Sequence, residues 1–309
     1  MQRIPGARVS PLATSTKKVN NDIVISEPYL SIVNKRTKNM SVHTENKRMT
    51  TQLVKQMKGH EKISMLTSYD FTLARLVDEA GIDAILVGDS ASNIVCGNDT
   101  TLPITLDEMI FLTRGVRKAA RHALVVVDMP FGTYQISEAE AVRNAMHILQ
   151  QTGADAVKIE GGIEIYDTIK HIISAGVPVM GHIGLTPQSV NVFGGYGLRA
   201  KEEAEAQKLL SDAKALEQAG CFSLVLEKIP AALAKKVTET ISIPTIGIGA
   251  GNSCDGQVLV LHDMLGMNEG FKPKFLRHFA DMATDIKDAV SAYNQAVKDN
   301  TFPNETEQY

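Results

Sequence analysis

LVVVDMP, residues 124–130, runs through four apolar residues, reaches Asp128 and stops at a proline. Its apolar character is continuous rather than alternating, and three of the four residues are β-branched. That is the pattern of a strand covered on both faces, as in a parallel sheet. The same pattern recurs on either side. AILVGDS (84–90) ends in Asp89 and Ser90, AVKIEGG (156–162) carries Lys158 and Glu160, VPVMGHIG (177–184) carries His182, and SLVLEKIP (223–230) carries Glu227. KISMLTSYD (62–70), TIGIGAG (245–251) and QVLVLHD (257–263) raise the count to eight. Helical patterns fall between them at 71–81, 106–120, 137–152, 163–174, 202–219 and 231–240, with a last helix expected at 275–296 and a short one at 51–58. Eight βα units predict a closed α/β barrel, the (β/α)8 TIM barrel, rather than an open doubly wound sheet. The first strand-to-helix turn, TSYDFT, also lacks the GxGxxG of a dinucleotide fold. In such a barrel the C-terminal strand ends surround one cavity, where the chemistry sits. Five successive runs each bring an ionisable group there. The glycine-rich GIGAGN after the seventh run reads equally as a tight turn or as an anion cradle.

The 309-residue length suits one barrel, and 44% apolar content suits a globular core. A net charge of −3 and 5% aromatic residues give no field or stacking surface for nucleic acid, and no apolar stretch approaches the roughly 20 residues of a membrane span. Cys96, Cys221 and Cys254 are scattered and lack CxxC spacing, which argues against a zinc site or a disulfide framework and fits a reducing cytosol. Residues 1–48 differ from the rest. Nine Lys/Arg stand there against Asp22, Glu27 and Glu45, among Ser, Thr and Asn. An organellar transit peptide is one reading. A disordered extension preceding a catalytic domain at 49–309, in a cytoplasmic protein, is the expectation taken here.

Asp89 and Asp128 end neighbouring strands, which lie about 5 Å apart in a sheet. Two carboxylates that close either share a proton or hold a cation. An oxygen-only set suits Mg²⁺, with Glu160 completing or orienting the shell; a single Asp capping a turn is the plainer alternative. Lys158 lies two residues before Glu160 and so on the same strand face. It reads as an ion-pair partner of the acids and of an anionic substrate, with Schiff-base chemistry as the other option. Glu227, across the ring from Asp89, reads as a general base, or else as a salt-bridge partner of Lys228. His182 fits either a substrate hydrogen bond or a buried structural role. Together these groups suit a chelated 2-oxo acid that loses its adjacent proton to Glu227, giving an enolate able to form a C–C bond.

TSYDF (67–71), VGDS (87–90), TTLPITLDEM (100–109), VVVDMPFG (125–132), VKIEGG (157–162), GHIGLTPQS (181–189), VLEKIP (225–230), IGIGAGNSCDGQVLV (246–260) and FPNE (302–305) resemble the ketopantoate hydroxymethyltransferase family. The resemblance implies a (β/α)8 enzyme of pantothenate biosynthesis. It would pass a one-carbon unit from 5,10-methylenetetrahydrofolate to 3-methyl-2-oxobutanoate, giving 2-dehydropantoate. It implies magnesium ligands at Asp89, Asp128 and Glu160, 2-oxo acid contacts at Ser90, Asp128 and Lys158, and the proton acceptor at Glu227. It also implies a cytoplasmic homo-oligomer, often a homodecamer. The folate donor comes from the resemblance alone. The competing reading is a magnesium-dependent lyase or mutase of the phosphoenolpyruvate mutase/isocitrate lyase type, but no KKCGH-type cysteine motif occurs in the chain.

Overall fold

All eight apolar runs become parallel strands: β1 (Ile63–Thr67), β2 (Ala84–Val87), β3 (Leu124–Asp128), β4 (Ala156–Glu160), β5 (Val179–Gly184), β6 (Ser223–Glu227), β7 (Thr245–Ile248) and β8 (Gly256–Leu259). Each pairs with its sequence neighbour, and β8 returns to β1 through the register Ile63 to Gly256 and Leu66 to Leu259, closing the barrel. The computed structural model describes residues 48–309; the expected extension, apart from Arg48, lies outside the described residues. Arg48 forms an ion pair with Asp155, and the Met49 amide donates to the His122 carbonyl at 2.7 Å.

The helices are α1 (Thr51–Met57), α2 (Phe71–Glu79), α3 (Ala91–Ile94), α4 (Leu106–Ala119), α5 (Glu138–Thr152), α6 (Tyr166–Ser174), α7 (Val190–Phe193), α8 (Glu203–Ala219), α9 (Ala231–Thr240), α10 (Leu261–Met264) and α11 (Met282–Lys298). Local chemistry sets several of their starts. Asp70 accepts the Thr72 and Leu73 amides at 2.7 and 3.0 Å. Thr105 and Glu108 exchange reciprocal bonds at the start of α4, a full capping box. Ser137 supplies half of one, accepting the Glu140 amide at 3.2 Å. Such caps stabilise by about 1 kcal/mol each.

Period-2 alternation divides the strand side chains into two cores. Val125, Val127, Val157, Ile159, Leu224 and Leu226 point outward and pack with the helices. Ile63, Met65, Leu86, Leu124, Val126, Ala156, Met180 and Val225 fill the barrel, and Val54 of α1 packs with them, closing the N-terminal end. On β3 to β6 the inward residue that follows the apolar layer is polar. Asp128 stands two after Val126, Lys158 two after Ala156, His182 two after Met180, and Glu227 two after Val225. The site therefore rests on a packed floor.

The last helix departs from expectation. It starts at Met282 rather than near 275. Residues 271–281 instead run irregularly back to the barrel, with the Phe279 amide bonded to the Met264 carbonyl and the Met282 amide to the Leu265 carbonyl. Phe271, Phe275 and Leu276 line the central cavity, so their apolar character serves a pocket and not a helix face.

Buried Asp78 of α2 shows how the outer layer is tied. It accepts the backbone amides of Ala123 (2.7 Å), Arg121 (3.0 Å) and His122 (3.0 Å) just before β3, and faces His122 Nδ1 at 2.9 Å. Burial pushes its carboxyl up, but these donors outweigh burial and hold it below the usual range. The stability it supplies is therefore present above the unfolded carboxyl pKa near 4 and lost as pH falls through the lower folded value. Asp78→Ala is expected to cost about 2–3 kcal/mol at pH 7, with a smaller deficit in acid. Urea denaturation at both pH values checks this; equal stability at pH 7 would refute it.

Candidate active site

The structure brings every site residue expected from the sequence to the C-terminal mouth of the barrel, around a cavity of about 410 Å³ lined by Asp89, Ser90, Asp128, Lys158, Glu160, His182 and Glu227. Asp128, Lys158 and Glu160 are held by the β3–β4 register, which sets Asp128 opposite Lys158; Glu160 in turn lies opposite His182. Asp89 and Ser90 follow β2, and the Asp89 amide donates to Asp128 Oδ2 at 3.0 Å, fixing one carboxylate against the backbone of the other. Ser90 Oγ lies 2.8 Å from Tyr69 Oη.

Lys158 is buried, with Nζ 3.0 Å from Asp128 Oδ1, 3.7 Å from Glu160 Oε1 and 3.0 Å from His182 Nδ1. Burial works against its charge, but Asp128, Glu160 and Asp89 outweigh it and push the ammonium pKa up. A lysine held protonated is an ion-pair partner, not an amine nucleophile. His182 continues the arc: its Nε2 lies 3.4 Å from Glu227 Oε2 on the far wall. Burial and Lys158 oppose its protonation while Glu160 and Glu227 favour it, and the net pull is upward, to about 9. Glu227 faces His182 and does not pair with Lys228, whose ammonium donates to the Tyr196 carbonyl.

Burial and the carboxylates of Asp128 and Glu160 raise the Asp89 carboxyl well above its ordinary range. Asp128 is also raised, chiefly by burial, against the pull of Lys158. Glu160 is lowered despite burial, because His182, Lys158 and the Gln188 amide stabilise its charge. Even with His182 protonated, four carboxylates face two cations. Buried Asp128 Oδ1 receives no aligned hydrogen bond, only the charge contact with Lys158. An oxygen-rich, over-negative cavity with such an atom fits a hard divalent cation. Among the described residues no three His, Cys, Asp or Glu side chains close on one point. Glu160 instead turns to His182, Lys158 and Gln188, which leaves Asp89 and Asp128 as the adjacent pair. Magnesium asks for no more than one or two carboxylates.

Gln188 was not anticipated. Its Nε2 donates to Asp89 Oδ2 (2.9 Å) and the Met129 carbonyl (3.0 Å), and its backbone amide to Glu160 Oε2 (2.9 Å). Its Oε1 lies 2.8 Å from the Tyr134 hydroxyl. Gln188 thus aims two carboxylates at once. Its sequence signal was a TPQS turn, with Pro187 opening a short 3-10 segment that swings residue 188 inward.

The sequence profile described as Ketopantoate hydroxymethyltransferase matches residues 47–305. A curated relative from Bacteroides fragilis, named 3-methyl-2-oxobutanoate hydroxymethyltransferase, is 59% identical over 269 residues, covering 87% of this chain and 98% of the relative. One of the same name from Parabacteroides distasonis is 58% identical over 266 residues, covering 86% and 97%. Among solved structures, a phosphonopyruvate hydrolase superposes with TM-score 0.56 at 11% identity, over 84% of this chain and 93% of its own. A 2,3-dimethylmalate lyase gives 0.52 at 15%, over 84% and 91%. At such identity these likenesses show the fold alone. The relatives near 59% identity and a profile spanning all eight strands show more: the chain belongs to the ketopantoate hydroxymethyltransferase family.

Proposed function

We propose that this enzyme transfers a hydroxymethyl group from 5,10-methylenetetrahydrofolate to 3-methyl-2-oxobutanoate, giving 2-dehydropantoate for pantothenate biosynthesis. The observation that carries the reading is the opposition, across one cavity, of an acid-rich wall (Asp89, Asp128, Glu160 with Lys158) and Glu227. Asp89 and Asp128 would hold Mg²⁺, with Glu160 beside them. When bound, the metal supplies a Lewis acid for the keto and carboxylate oxygens of the 2-oxo acid.

The residues of the chain do the rest. Lys158 and Ser90 hold the oxo acid, the ammonium offsetting charge on its oxygens. Asp128 keeps Lys158 in place through the 3.0 Å contact. Glu227, on the opposite wall, removes the C3 proton, and His182, 3.4 Å away, orients its carboxylate. Water cleaves the methylene–nitrogen bonds of the folate, which leaves as tetrahydrofolate. The enolate carbon attacks the one-carbon aldehyde so released, and protonated Glu227 returns its proton to the new alkoxide, giving the hydroxymethyl group. The Leu86, Val225 and Val258 side chains in the lining supply an apolar seat for the isopropyl end.

No helix among the described residues is long and apolar enough to cross a membrane, and a cytoplasmic setting belongs to the same reading. So does a homo-oligomer: α11 leaves Ile286, Val290, Tyr293 and Val297 exposed at helical spacing, an apolar face suited to a second copy of the chain.

Following the C3 proton of 3-methyl-2-oxobutanoate by NMR in deuterated water tests the chemistry. Exchange that requires Mg²⁺, followed by a new hydroxymethyl signal once the folate is added, is expected. Folded, metal-supplied protein that gives no exchange would eliminate the enolate.

A further inference from the structure

Residues 185–200, between β5 and α8, close on two successive peptide carbonyls at the end of β6. The Leu185 amide donates to the Glu227 carbonyl at 2.8 Å, and the Arg199 amide to the Lys228 carbonyl at 2.8 Å. The first contact is close enough that a Cβ at Gly184 would lie 2.4 Å from the Glu227 oxygen. Between these two pins lies the tip Phe193–Gly197, FGGYG, in which Gly194 and Gly195 take φ of 70° and 136°. Such glycines give the tip little stiffness of its own. Tyr196 nonetheless lines the cavity together with Glu227 and Lys228.

Lys228 supplies what the tip lacks. Its ammonium donates to the Tyr196 carbonyl, and its own amide is held by the Ile248 carbonyl at 2.9 Å. Its backbone sits at φ 43°, in the left-handed region that favours glycine or asparagine. A lysine there is strained, and strain at a site is retained where the surrounding structure uses it. The side chain is what a glycine would forfeit.

We propose that Lys228 is a positioning residue that tethers the 194–197 tip over the cavity, so that the enolate made by Glu227 is shielded from solvent until the one-carbon donor captures it. It contacts neither reacting carbon. Its effect passes through Tyr196, and its place directly after Glu227 ties the cover to the strand end that carries the base. The inference rests on the enolate reading above for its kinetic consequence, but not for the tether itself.

Two readouts separate the two. The first is amide hydrogen exchange of the peptide spanning 190–200 in the full chain. The second is the ratio of C3 deuterium exchange to hydroxymethyl transfer, measured with 3-methyl-2-oxobutanoate, Mg²⁺ and 5,10-methylenetetrahydrofolate. In K228A and K228G the tip amides are expected to exchange faster. Transfer should fall about tenfold or more, as for a loosened positioning element, while C3 exchange persists and the ratio rises. K228R, which can still reach the Tyr196 carbonyl with a cationic donor, should restore both.

Unchanged amide exchange and an unchanged ratio in K228A would overturn the proposal. So would a raised KM for either anionic substrate at an unchanged ratio, which would make Lys228 a plain binding charge. If wild-type protein showed no C3 exchange at all, the enolate reading would fall, and the amide arm alone would still decide the tether.

Discussion

Glu227→Gln is expected to lower turnover by about 10²–10⁴-fold, the usual contribution of a positioned general base, and to abolish C3–H exchange in deuterated water. The substitution keeps shape and length, so the side chain still reaches the position 3.4 Å from His182 Nε2. It lacks only the carboxylate that accepts the proton. Asp89 and Asp128, at the ends of β2 and β3, lie four and three strands round the ring from β6. Glu160 meets Glu227 only through His182, so affinity for Mg²⁺ and for the 2-oxo acid should survive. Loss of both exchange and binding would point to a substrate-holding role for Glu227. Exchange at the wild-type rate would remove it from proton transfer. The backbone pins at Glu227 and Lys228 predict a companion effect: with the carbonyl fixed by Leu185, a shortened Glu227→Asp chain cannot follow its proton, and it too should be slow.

The barrel was legible because its strands are buried on both faces, so each reads as an unbroken apolar run. The run count then fixed closure. The site was legible for a related reason. Asp128, Lys158, His182 and Glu227 occupy the inward register one step above an apolar layer, where a lone charge is costly to bury. Gln188 and Tyr134 escaped because they act through loops. An amide and a phenol in TPQS and GTYQ carry no period, and only the folded chain turns Gln188 onto Asp89 and Glu160. The misplaced start of the last helix has the opposite origin. Phe275, Leu276 and Phe279 supply an apolar pattern that a helix could use, but the cavity and the end of α10 use it first. Short helices such as α3 and α7, four residues each, lie below what periodicity can resolve. The Asp89–Asp128 approach was anticipated from strand spacing, whereas the turn of Glu160 toward His182 depends on side-chain geometry that spacing does not encode.

Replacing Lys158 should be as damaging to the fold as to the reaction. Its buried ammonium lies 3.0 Å from Asp128 and 3.7 Å from Glu160, and Asp89 lies within the same field. Removing one partner of a buried ion pair leaves charge without compensation and costs about 3–5 kcal/mol. Lys158→Met isolates that effect, since it fills the volume and removes only the charge. The pH dependence gives the sign. Wild-type Lys158 has a raised pKa, so its contribution is complete below the unfolded lysine value and is lost only as pH rises through the folded one. In the variant, the carboxyls of Asp89 and Asp128, already raised, rise further. A carboxyl raised by folding favours the folded state at low pH and loses that advantage as pH climbs. The Lys158→Met deficit should therefore be large at pH 7 and shrink toward pH 5, where proton uptake relieves the repulsion. A divalent cation held by Asp89 and Asp128 would relieve it in the same way, so millimolar Mg²⁺ should raise the Tm of the variant more than that of the wild type. Thermal unfolding at both pH values, with and without Mg²⁺, reads all of this without any turnover. A Lys158→Met protein as stable as wild type at pH 7 would show that the ammonium does not hold the acid wall together. A deficit indifferent to pH and metal would assign the loss to packing instead of charge.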